Sequence, residues 1–145
     1  MTFTSKIQFA PRPVTALADT ILVVDDQPSL CEVASLFLQR FGYRVLTAND
    51  GEQAKKIARE DANIDLLLTE IEMPVMFGAE LAEWFRVTRP DTAVVLMSGN
   101  PMQRLRLEPR YFVEKPFVHL DTLVKTIRAA LQQNRAAHQA ASIAA

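Results

Sequence analysis

Apolar and polar positions alternate in two rhythms along the chain. Short runs at Thr20 to Val24, Tyr43 to Ala48, Asp65 to Glu70, Thr92 to Met97 and Tyr111 to Glu114 are too brief for helices. Their apolar content suits strands buried on both faces of a parallel sheet. Between them lie stretches with apolar residues at i, i+3, i+4 and i+7, the spacing of one helix face. Pro28 and Ser29 open the first, in which Leu30, Val33, Ala34, Phe37, Leu38 and Phe41 form a single stripe that Gly42 stops. The turn signal Asn49-Asp50-Gly51 leads into a second, about Glu52 to Arg59, with Ala54, Ile57 and Ala58 on one face. A third, about Gly78 to Thr88, places Leu81, Ala82 and Phe85 inward and Trp84 at the margin, with Pro90 closing it. The last, about His119 to Asn134, lines up Leu120, Leu123, Val124, Ile127 and Leu131.

Strands interleaved with helices predict an α/β fold: a doubly wound, five-stranded parallel sheet built by right-handed crossovers, with helices on both faces. One interval breaks the rhythm. Pro101 and Pro109 bracket only Met102 to Glu108, room for about two helical turns, so the fourth helix is short or replaced by a loop. Residues 1–19, with Pro11 and Pro13 and no steady period, are expected to be a flexible N-terminal extension, a partner-docking arm being the alternative. The domain proper is expected over 20–135. The Ala-rich tail at 136–145, with Arg135 before it, either extends the last helix or frays.

Composition narrows the function classes. With 145 residues and 49% hydrophobic content, the chain fits one domain with a real core. A net charge of -1 lacks the basic footprint that nucleic-acid binding requires. Apolar runs such as Ile21 to Val24 and Ala93 to Met97 fall far short of a membrane span, and no signal-peptide pattern is present. The single cysteine, Cys31, excludes an internal disulfide, suits a reducing cytoplasm and reads as a core-edge residue. His119 and His138 lack partners at metal-ligand spacing and read as a helix-start and a tail residue. No nucleophile-base triad, zinc motif or Gly-rich phosphate loop occurs, so no enzyme class is indicated.

The chemistry that remains sits at strand exits. Pro74 fixes its own φ and pushes Met73 toward extended conformations, so the chain turns after the third strand and leaves Glu70 at the rim. In open α/β sheets that rim is where ligands bind. Asp25 and Asp26 end the first strand, Ser98 the fourth, and Lys115 the fifth. Three carboxylates against one ammonium leave a local charge of about -2, costly unless a cation enters or a proton is taken up. Oxygen ligands from two side chains, a loop carbonyl and waters are what Mg²⁺ tolerates. A lysine and a hydroxyl opposite would then hold the outer oxygens of a phosphoryl group on the third carboxylate. Taken singly, each acid reads equally well as a solvated turn former. Taken together, in register with Ser98 and Lys115, they outline a phosphoryl-acceptor site.

These residues resemble the receiver domain of bacterial two-component response regulators, over about Thr20 to Arg135. The matching segments are Ile21-Leu-Val-Val-Asp25-Asp26, Phe41-Gly42-Tyr43, Asp50-Gly51, Leu68-Thr-Glu70-Ile-Glu-Met73-Pro74 with Gly78, Met97-Ser98-Gly99, and Phe112-Val-Glu-Lys115-Pro116-Phe117. The resemblance implies that Asp25, Asp26, the acceptor position and the backbone carbonyl of Glu72 are metal ligands. It implies that Ser98 and Lys115 contact the phosphoryl group, that Phe112 and Ser98 act as switch residues, and that the Lys115-Pro116 bond is cis. By its position in a strand, Phe112 reads equally as core packing.

One position departs from the family. Where the resemblance calls for an acceptor aspartate, this chain has Glu70, whose extra methylene moves the carboxylate by roughly 1.3 to 1.5 Å in a site where errors of about 1 Å cost on the order of a hundredfold. The expectation is a single-domain receiver, not phosphorylated in the usual way, biased toward one conformer by Glu70 approaching Lys115 and Ser98, with weakened Mg²⁺ binding. Expected partners are a sensor histidine kinase or phosphotransfer protein, a downstream protein docking on the face of the fourth segment, fifth strand and last helix, and a second copy through that face. A working phosphoacceptor using Glu70 or another acid, and a metal-free structural adaptor, are the alternatives.

Overall fold

A computed structural model of the chain describes residues 18–61 and 63–144. The expected extension over residues 1–17 lies outside the described residues. Five strands form one sheet: β1 (Thr20–Val24), β2 (Arg44–Ala48), β3 (Leu66–Glu70), β4 (Ala93–Ser98) and β5 (Phe112–Glu114). All four pairings are parallel, in the order β2-β1-β3-β4-β5. The five connecting helices are α1 (Pro28–Arg40), α2 (Gly51–Glu60), α3 (Gly78–Thr88), α4 (Pro101–Leu107) and α5 (Leu120–Ala144).

Alternation along the strands divides the core into two halves. Ile21, Val23, Leu66, Leu68, Val95, Met97 and Val113 face α1 and α5, where they meet Ala34, Leu38, Leu123, Val124 and Ile127. Leu22, Val24 and Leu67 face the other way, onto Ala54 and Ala58 of α2 and Leu81 and Phe85 of α3. β3 lies in the middle of the sheet and is buried along its whole length, which explains its continuous apolar run.

Local signals act as the sequence anticipates, with several differences, among them that Thr92 and Tyr111 precede β4 and β5 rather than opening them. Asp50 caps α2, its side chain accepting from the Gln53 amide at 2.7 Å, while Gln53 Oε1 accepts from the Asn49 amide, also at 2.7 Å. Gly42 follows α1 with φ 87°, a left-handed conformation that favours glycine. Val33, however, is 53% exposed and not part of the inward stripe. That stripe is centred on Ala34 and carries Cys31 and Leu38; at about 100° per residue, Val33 lies a quarter turn off it. Tyr43 precedes β2 rather than opening it, and Asp65 precedes β3, where its carboxylate accepts from the Thr20 amide at 2.8 Å.

The fourth helix is short, as the flanking prolines predict, with Asn100 capping it by accepting from the Met102 amide at 3.0 Å. None of its residues is buried. The Ala-rich segment after Arg135 continues α5 as far as Ala144. Arg135 pairs with Asp19, and His138 Nε2 lies 3.0 Å from Asp91 Oδ1, so the far part of α5 is tied to the base of the sheet.

Candidate functional site

The same alternation that builds the core aims the site. Asp25, Glu70 and Lys115 each lie two residues beyond a side chain of the α1 and α5 half, namely Val23, Leu68 and Val113. Side chains two apart on a strand share a face, so the three polar groups emerge together as their strands end. The ammonium of Lys115 sits between the two acids, 2.7 Å from Asp25 Oδ2 and 2.5 Å from Glu70 Oε1.

Each carboxylate is also held by the loop that follows it. Asp25 Oδ1 accepts from the Gln27 amide and Glu70 Oε2 from the Glu72 amide, both at 2.9 Å. Asp25 is fully buried and Glu70 nearly so, in keeping with acids whose oxygens have partners. Burial alone would lower the pKa of Lys115, but hydrogen bonds to Asp25 and Glu70 outweigh it and raise the ammonium above its ordinary value. The result is a buried cluster in which one ammonium bridges two carboxylates and leaves them in negative excess.

Ser98 is buried at the tip of β4, its Oγ accepting from the Asn100 amide at 3.0 Å. It lines a cavity of about 500 Å³ together with Glu70, Glu72, Lys115 and Pro116. Asp26 stands beside the cluster but exposed. Phe112 is half-buried, with the Arg104 guanidinium 5.7 Å over its ring, and the Lys115-Pro116 bond is cis. A second cavity of about 460 Å³, lined by Ala82, Val94, Leu96 and Tyr111, contains none of these groups.

The oxygen donors suit a hard cation in kind, and Lys115 competes for two of them. Lys115 takes one oxygen from each of two acids, and among the described residues no group of three or more His, Cys, Asp or Glu is placed to hold an ion. A cation would share these oxygens with the ammonium or compete with it for them.

Sequence reasoning missed the side chain of Glu72. Its Oε1 accepts from Asn100 Nδ2 at 3.1 Å and Gln103 Nε2 at 3.2 Å, joining the loop after β3 to the start of α4. Also unforeseen is the reason for Gly78: a Cβ there would lie 2.0 Å from the carbonyl oxygen of Glu70. Gly78 was legible as part of a motif, but a contact between a helix start and the preceding strand leaves no periodic trace.

A five-stranded parallel sheet in this order defines the flavodoxin-like class of α/β domains, and here its carboxyl rim carries two acids, a lysine and a hydroxyl. More specifically, the chain belongs to the response regulator receiver domain family, whose sequence model matches residues 21–128, and is thereby a receiver domain of two-component signalling. It is 32% identical over 121 residues to the response regulator GtcR of Aneurinibacillus migulanus, covering 81% of this chain and 49% of that protein. It is 33% identical over 123 residues to the transcriptional regulatory protein CpxR of Escherichia coli K12, covering 82% of this chain and 52% of that protein. The chain thus spans about half the length of these curated relatives. Among solved structures, the response regulator protein TrrA of Thermotoga maritima, in complex with Mg(2+)-BeF, superposes with a TM-score of 0.65 at 35% identity, covering 74% of this chain and 96% of that one.

Proposed function

We propose that this receiver is a signalling module whose acceptor position, Glu70, is a standing negative charge rather than a phosphorylation site. The contact between Glu70 Oε1 and Lys115 Nζ at 2.5 Å carries the reading. In the family role, this lysine holds an oxygen of the phosphoryl group; here the longer side chain reaches the ammonium unaided. The imitation is partial, since a carboxylate has one charge where a phosphate monoester has about 1.5 to 2. Output then passes through protein contacts: a sensor histidine kinase or phosphotransfer protein on the input side, and a downstream protein or second copy on the face of α4, β5 and α5. Ser98 and Phe112 are the switch residues of this reading, and the cytoplasm its compartment.

Mg²⁺, if taken up, would be held by Asp25, Asp26, Glu70 and the Glu72 carbonyl, supplying charge neutralisation. The complex of the Thermotoga protein with Mg(2+)-BeF supports uptake of the ion, while Lys115 across Asp25 and Glu70 favours weak uptake here.

Intact mass spectrometry after acetyl phosphate and Mg²⁺ tests the proposal. The chain is expected to gain no phosphoryl group and Glu70→Asp to gain one. A Mg²⁺-dependent adduct on the unaltered chain would overturn the reading in favour of a working acceptor.

A further inference from the structure

α4 is poorly anchored by apolar contact. None of its residues is buried, while Met102 and Leu105 are 56% and 69% exposed, although a short helix ordinarily depends on packing an apolar face. Its polar attachments are concentrated at its start and lead to the site. The Asn100 side chain caps the helix through the Met102 amide and also donates to Glu72 Oε1, while Gln103, in the first turn, donates to the same oxygen. The Glu72 amide in turn donates to Glu70 Oε2. Glu72 therefore takes the carboxylate of residue 70 on its backbone and the first turn of α4 on its side chain.

We propose that Glu72 is a positioning residue that couples the carboxylate at position 70 to the seating of α4, and thereby sets how the helix presents Met102 and Leu105 to a partner. The proposal rests on the reading of Glu70 as a standing charge. Removing that charge frees the Glu72 amide, the loop after β3 loosens, and α4 loses the acceptor shared by Asn100 and Gln103. The path bypasses Phe112 and needs no group bound in the pocket.

Hydrogen exchange of the full chain tests this through peptides covering α4, with peptides from β1 as the internal control. Glu72→Ala is expected to speed α4 exchange by about tenfold, the loss of a hydrogen bond to a charged acceptor, with β1 unchanged. Glu72→Gln, which keeps an oxygen for Asn100 and Gln103, is expected to retain most of the protection. Glu70→Ala, which removes the acceptor of the Glu72 amide, is expected to speed α4 exchange in the otherwise unaltered chain and to add little to Glu72→Ala, because both cut one path. Unchanged α4 exchange in Glu72→Ala, additive effects of the two substitutions, or α4 amides already unprotected in the unaltered chain would each overturn the proposal. A phosphoryl adduct on the unaltered chain would instead sink the reading of Glu70, a separate observation made by mass.

Discussion

Lys115 is the residue on which the pocket balances. Its side chain is 12% exposed and its two acids less, so the ion pairs act with little help from water. Lys115→Met would strand the fully buried carboxylate of Asp25 with only a backbone donor, and is expected to cost about 3 kcal/mol in urea unfolding at neutral pH. The lysine also sets a pH dependence. Its folded pKa is raised above 10.5, so its stabilisation is fully present below about that pH and fades as pH climbs through the folded value. Urea midpoints should fall above about pH 10.5 for the unaltered chain and less so for Lys115→Met. Asp25, Glu70 and Lys115 were legible in the sequence because each ends an apolar run. Gln27 was not, nor was the contact from the Glu72 amide, because both reach the acids through backbone N–H groups, which every residue but proline possesses.

Among the elements, the loop between β3 and α3 is the most constrained. It must turn within a few residues so that Gly78 can donate to the Ile71 carbonyl at 2.7 Å, and it does so with Val75 at φ 72°. A β-branched residue is strained in that region, and Val75, 95% exposed, has little packing to offset it. Val75→Gly is expected to stabilise the protein by about 1 kcal/mol, seen as a higher urea midpoint at unchanged slope. Pro74 announced a turn here, but nothing in the local pattern marked which residue would take the left-handed conformation. For α4 the reverse holds: two prolines gave its length, while its lack of buried residues depended on the neighbours and could be read only in three dimensions.

In the whole molecule, a parallel sheet with helices on both faces was legible because apolar runs and helical stripes report burial directly, whereas the strand order was not, since the pattern along a strand does not say which strand lies beside it. The length of α5 was not, since alanine favours helix without saying what the helix touches. Beyond Arg135 that helix is fastened by the contact between His138 and Asp91, whose side chains are 41% and 90% exposed. Deleting the residues after Ala136 is therefore expected to change stability by less than about 1 kcal/mol; a larger drop in the urea midpoint would mean that the extension is integral to the fold.

β3 sends Leu66 and Leu68 to one half of the core, Leu67 to the other, and Glu70 to the pocket. Those assignments share a single reading phase, so one residue inserted between Leu66 and Glu70 would invert the strand's loyalties and misdirect the acid in the same stroke. A change of length in the rim loops leaves that phase intact, but one within this strand does not: the core contacts and the carboxylate at 70 are spelled by the same five letters.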